Sequence, residues 1–182
     1  MKCHRYWPEP TQGTEQSIKC GNYSVNFKAQ DVLATYVVRT FVLQEQSSGQ
    51  EREVIQFAYT GWPDHGVPAT TTEMINFRHR VKVEHLKRKG PMLTHCSAGV
   101  GRTGTFIGLD SFLDNALLCQ RAPILSIVEQ MRNSRNFMVQ SPIQFVFLYV
   151  ACLDGLERIK KTTDKVGWLV GSWGGQVGLE KV

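Results

Sequence analysis

Apolar positions along this 182-residue chain change period several times, and each change marks an element. Asn22–Phe27 alternates apolar and polar side chains and predicts a strand. Ala34–Gln44 (ATYVVRTFVLQ), rich in β-branched and aromatic residues, predicts a second; Ser47–Gln50 predicts a turn and Glu53–Thr60 (EVIQFAYT) a third strand. The polar stretch before them, Glu9–Cys20, reads as turns. From Thr70 to Lys89 the spacing of Met74, Phe77, Val81 and Leu86 predicts a helix, with threonines at its start suited to capping. The short apolar run Pro91–Thr94 reads as a buried strand, and Phe106–Leu113 has helical spacing. Ala122–Arg132 predicts a helix with proline in its first turn, Asn133–Val139 a connection, and Ser141-Pro142 the opening of a helix carrying Ile143, Phe147, Leu148, Ala151, Cys152 and Ile159. Residues 162–182 mix glycine with tryptophan, show no period and are expected to form a poorly ordered tail without an assigned role. No internal repeat or low-complexity tract interrupts the chain.

This order predicts an α/β domain with a mixed, central twisted sheet flanked by helices, the antiparallel run entering it and a site at the carboxyl end of the strand before Cys96. A hydrophobic content of 42% and a charged content of 20% fit one ordinary globular domain with a real core. No stretch is apolar enough to span a bilayer, and Met1–Trp7 is too polar for a signal peptide. The five cysteines (Cys3, Cys20, Cys96, Cys119, Cys152) are odd in number and lack a C-x-x-C pair. They argue against a disulfide framework or a zinc site and for a reducing, cytoplasmic compartment. A net charge of +5 suits an anionic substrate and is too modest to argue nucleic-acid binding. Arg78, His79, Arg80, Lys82, His85, Lys87, Arg88 and Lys89 read as a solvated helix face rather than a membrane or nucleic-acid surface.

The stretch that organises the chain is His95-Cys96-Ser97-Ala98-Gly99-Val100-Gly101-Arg102-Thr103-Gly104-Thr105. A strand, a loop of small residues and a helix start form a cradle for an oxyanion, because the first N–H groups of a helix lack intrahelical acceptors and its dipole favours negative charge. Gly99, Gly101 and Gly104 let the backbone turn and approach an anion closely. Inward N–H groups and a guanidinium would hold Cys96 as a thiolate, and the Arg102 fork fits two phosphoryl oxygens. Nucleophile and clamp around one concavity point to phosphoryl transfer through a phosphocysteine. By itself, Cys-x5-Arg leaves a plain core thiol open, since most cysteines after an apolar strand are that. An aspartate in Gly61–Pro68 (GWPDHGVP) is likewise a common turn-former, although a thiolate attacking a phosphate ester needs one carboxylic acid for the departing oxygen.

The full string resembles HCSAGxGRTG, the signature loop of the protein tyrosine phosphatases, with every position matched. Trp62–Pro68 resembles the WPDHGVP loop of that family, Gln140–Gln144 its Q-T-x-x-Q segment with Ser141 for threonine, and Lys2–Pro8 its KCxxYWP stretch. The resemblance implies a cysteine-phosphatase fold and hydrolysis of phosphotyrosine on proteins. It implies Cys96 as nucleophile, phosphate held by Ser97, Ala98, Gly99, Val100, Gly101 and Arg102, Asp64 as general acid and then base, and Gln144 and Gln140 placing the water. Thr103 would donate to the sulfur, His95 would be a buried support of the loop, Trp62 would anchor the hinge side of the acid loop, and Lys2 would lie near it. Neither cofactor nor metal is expected, because the loop amides and Arg102 neutralise the phosphate. The expected partners are phosphotyrosine proteins, without nucleic acid and without membrane contact from this segment; Arg52–Pro68 (REVIQFAYTGWPDHGVP) and Thr70–Val81 (TTTEMINFRHRV) are similar to receptor-type members, which would set it at the cytoplasmic face of a membrane.

Residues 1–161 resemble the later part of the family's domain, which implies an N-terminally truncated fold. The recognition loop with its Asn-Arg-Tyr motif has no counterpart here, and the aromatics Tyr6 and Trp7 would be left open. The alternative function is a catalytically impaired fragment that binds phosphotyrosine or a partner.

Overall fold

A computed structural model describes residues 3–9, 17–118 and 123–173, with the side chains of 164–173 excluded. Its elements are β1 (Ser17–Cys20), β2 (Tyr23–Val32), β3 (Tyr36–Glu45), β4 (Glu51–Tyr59), α1 (Thr71–Leu86), α2 (Gly101–Leu117), α3 (Ile124–Ser134) and α4 (Pro142–Trp173). The chain divides into two units, one built on Met1–Pro68 and Asn76–Met92, the other on Ala69–Ile75 and Leu93–Val182.

The first unit holds a four-stranded sheet in the order β1-β2-β3-β4, and every described pairing is antiparallel. β1 lies in the stretch read as turns. Its residues lack apolar alternation, and what makes them a strand is the tight hairpin at Gly21-Asn22, with Gly21 at φ +58° and Cys20 opposite Tyr23. On one face Phe77 of α1 packs into Tyr36, Phe57 and Tyr59, with ring centroids 5.0–6.2 Å away. Side chains alternate along a strand, so Val37, Arg39 and Phe41 turn to the other face. There Trp7 finds partial cover, while Tyr6 stays open as expected. Arg39 lies 4.9 Å over the Trp7 ring, which is half-buried, and Gln56 donates to the Tyr6 hydroxyl at 3.2 Å, although Tyr6 stays 52% exposed. In the predicted basic face Arg78 is in fact buried, while Leu86, counted with the apolar stripe, is exposed. Arg88 pairs with Glu84 and with Glu53 of β4, which also binds Lys28 of β2.

The second unit is helical. Leu109 and Leu113 of α2, Ile127 and Val128 of α3, and Phe147, Leu148, Ala151 and Cys152 of α4 make its core. α2 and α4 meet closely because Gly108 gives way to Leu148 and Gly155 to Leu113; a Cβ at either glycine would sit within 2.9 Å of the leucine. Asp154 and Arg158 of α4 hydrogen-bond the hydroxyls of Thr71 and Thr72.

Two further expectations change. Pro91–Thr94 is not a strand, and Leu93 is 89% exposed, because no described strand lies beside the segment to complete a ladder. α4 continues to Trp173, so residues 162–173 of the expected tail are helical backbone.

Candidate active site

α2 begins at Gly101, five residues before the start of its apolar pattern, so Arg102 and Thr103 belong to its first turn. Its N-cap is Val100, which has no side-chain oxygen and makes no capping bond. No N-cap side chain therefore takes up the first N–H groups of the helix, and the first bond along it runs from Gly104 N–H to the Val100 carbonyl at 3.0 Å. Gly99 takes φ +71°, a left-handed turn that glycine adopts without strain, and directs its N–H to Cys96 Sγ at 3.2 Å. Burial works to raise the pKa of this half-buried thiol. Thr103, through hydroxyl and amide, and the N–H groups of Gly99 and Val100 outweigh it and hold the thiol below its usual range. The Thr103 hydroxyl is buried and lies close enough to the sulfur to lower its pKa, without meeting strict hydrogen-bond geometry among the described residues. Cys152, buried in the α2–α4 core, shows the opposite case: burial alone pushes its thiol up to about 12.

His95 differs from its expected role as a buried support. It is exposed, and its Nδ1 lies 3.1 Å from the Cys96 carbonyl. A ring beside a loop carbonyl can steady the backbone from outside without displacing water from itself. Ser97 and Ala98 are also exposed on the loop.

Gln140 and Gln144 come to this cradle through a capping box. The Ser141 hydroxyl accepts from Gln144 N–H at 3.4 Å, while Gln144 Oε1 accepts from the N–H of Ser141 at 3.3 Å and of Gln140 at 3.0 Å. With Pro142 at the first helical position, S-P-I-Q states this cap in sequence. The cap uses Oε1 and leaves the Gln144 NH2 group at the loop. A Cβ on Gly101 would meet the Gln144 amide at 3.0 Å and Gln140 Oε1 at 3.4 Å.

Sequence reasoning missed what holds this segment in place. Phe137 (φ +65°) and Val139 (φ +58°) are left-handed without being glycine, a costly conformation for a β-branched side chain. Three contacts over-determine it: Arg132 donates to the carbonyls of Met138 and Val139, each at 2.9 Å, and Val139 N–H donates to the Val100 carbonyl at 3.1 Å. Gly104 completes the fit, since a Cβ there would come within 2.4 Å of Val139 N. The only sequence signal was a pair of arginines, Arg132 and Arg135, at the end of an amphipathic helix.

Cys96, Arg102, Thr103, Gln140 and Gln144 thus belong to the second unit, and Asp64 and Trp62 to the first. There Trp62 is buried and its Nε1 donates to the Gly66 carbonyl at 3.0 Å, closing the loop that carries the exposed Asp64. Gly66 sits at φ +80° to allow that closure. Lys2 lies outside the described residues.

Comparison with known proteins gives the family. The family model for protein-tyrosine phosphatase matches residues 1–154. Receptor-type tyrosine-protein phosphatase F from Homo sapiens is 44% identical over 154 residues, 85% of this chain, and the Danio rerio protein of the same name is also 44% identical over that length. Receptor-type tyrosine-protein phosphatase S from Gallus gallus is 42% identical over 156 residues, 86% of the chain. The chain spans 8–10% of the length of these relatives.

Proposed function

Because this chain belongs to the protein-tyrosine phosphatase family, we propose that it hydrolyses phosphotyrosine on proteins through a phosphocysteine. The Cys96 thiolate attacks phosphorus, the S–P bond forms and the P–O ester bond breaks, and Asp64 gives its proton to the departing phenolic oxygen. The loop amides from Ser97 to Gly101 and the Arg102 fork hold the non-bridging oxygens as charge shifts between them. Water held by Gln144 and Gln140 then attacks phosphorus, Asp64 takes its proton, and the thiolate leaves with inorganic phosphate released. Thr103 eases that departure by donating to the sulfur. Trp62 steadies the acid loop, His95 the nucleophile loop, and Lys2 lies near the acid. No metal enters, because the N–H groups and Arg102 balance the phosphate charge.

The observation that carries this reading is the Gly99 N–H on Cys96 Sγ at the mouth of an uncapped helix. A core thiol has no use for either feature. In our reading residues 1–161 are the later part of the family's domain, with the mixed, twisted central sheet. We place the site at the cytoplasmic face of a membrane in a receptor-type parent; among the described residues no helix is long and apolar enough to cross one.

Turnover of a small aryl phosphate and of a phosphotyrosine peptide, with Cys96→Ser as control, tests the proposal. Activity abolished in the serine variant is the expected result. Activity equal in both proteins would refute the assignment of the nucleophile. Binding of the peptide without turnover by the unaltered chain would favour the impaired-fragment reading.

A further inference from the structure

Past the end of α3, the exposed Arg135 reaches the nucleophile loop from outside. Its NH2 group donates to the Ala98 carbonyl at 3.1 Å. Its guanidinium also lies across Gly99, where a Cβ would meet Nη2 at 3.4 Å, Cζ at 3.6 Å and Nε at 3.9 Å. The Ala98 carbonyl and the Gly99 N–H are the two ends of one peptide unit. A trans peptide is planar, so its C=O and N–H point in opposite directions. Fixing the oxygen outward therefore fixes the hydrogen inward, and that hydrogen is the one on Cys96 Sγ at 3.2 Å. A cationic donor on the oxygen also polarises the amide and makes its N–H a stronger donor.

We infer that Arg135 is a positioning residue for the nucleophile: by holding the Ala98 carbonyl it aims and strengthens the Gly99 N–H that stabilises the Cys96 thiolate. The inference rests on the phosphatase reading for its purpose and not for its geometry. The other charged or titratable side chains on the segments around the sulfur are His95 beside it, Arg102 in the first turn of α2, and Arg132 on α3. Arg132 is occupied by the carbonyls of Met138 and Val139, and the α4 start contributes only the neutral Ser141 and Gln144. Arg135 is the cation joined to the sulfur through a single peptide unit. Gly99 itself sits at φ +71°, where a side chain would be strained.

Alkylation of Cys96 by iodoacetamide across pH tests this without any turnover, so its outcome stands apart from that of the phosphatase assay. Arg135→Met should shift the profile to higher pH, slowing alkylation roughly three- to tenfold well below the thiol pKa and leaving the rate unchanged well above it. Arg135→Lys, which keeps a cationic donor, should recover most of the loss. A purely structural role would lower the rate at all pH values or leave the profile where it was, and superimposable profiles for Arg135→Met and the unaltered chain would overturn the inference. Should the methionine variant not fold, the unaltered chain still decides. The Gly99 amide proton should move downfield in NMR as Cys96 ionises and stay still in Cys96→Ser. No movement at Gly99 would refute the proposed path.

Discussion

Two cysteines of one unit meet opposite fates, and the difference is a matter of a few ångströms of surroundings. Cys96 is half-buried beneath N–H groups and ionises below the usual thiol range. Cys152 is wholly buried among apolar side chains and is pushed up to about 12. Iodoacetamide or peroxide at neutral pH should therefore modify Cys96 before any other cysteine, and Cys152 only after unfolding. Peptide mapping after brief exposure checks this, and Cys152 modified in the folded protein would contradict it. The motif singled out Cys96 and Arg102 in the sequence, because a proposed reaction at phosphate would need those residue types in that spacing. The exposure of His95 and the burial of Arg78 were not legible, since both depend on what packs beside them. Arg135 was invisible for the same reason: it acts on a backbone carbonyl, which leaves no mark on the residue that carries it.

At the scale of elements, α4 is tied to the cradle by a cap that has two uses. Gln144 stabilises the helix start with Oε1 and keeps its NH2 group at the loop. Gln144→Ala should lower stability by about 1 kcal/mol through loss of the capping box. Gln144→Glu should keep the cap, yet both variants should slow hydrolysis of the phosphocysteine. Denaturant titration alongside rapid-quench kinetics separates the two effects, and a fully active alanine variant would exclude Gln144 from placing water. Gly104→Ala drives a methyl group into the backbone of Val139 and should cost about 1–3 kcal/mol while displacing Gln140. Equal denaturation midpoints for the two proteins would show that α2 and the Val139 turn can separate freely. Strands β2 to β4 and the four described helices were legible in outline from β-branched and aromatic runs and from helical apolar spacing, although β2 runs on to Val32 and α4 to Trp173. β1 was missed because a polar strand held by a hairpin has no period, and Pro91–Thr94 was misread because an apolar run becomes a strand only beside a partner.

For the molecule as a whole, the helical core sets a pH limit on stability. The fold keeps Cys152 protonated, so its contribution is fully present below the ordinary thiol value of 9.0 and is lost as pH rises toward about 12. Melting temperature should fall across that window more steeply in the unaltered chain than in Cys152→Ala. Parallel curves would show that Cys152 does not contribute. Composition and charge suggested an ordinary globular protein suited to an anionic substrate and could say no more, because the candidate chemistry is concentrated in one loop and its supports.

The central claim is that this loop makes Cys96 a nucleophile toward phosphorus. Acid quenching of Gln144→Ala during turnover of an aryl phosphate, followed by peptide mapping, tests it most directly. The account predicts phosphate covalently bound to Cys96 and absent from every other residue. Turnover without a phosphorylated Cys96, or phosphate carried on another side chain, would contradict it.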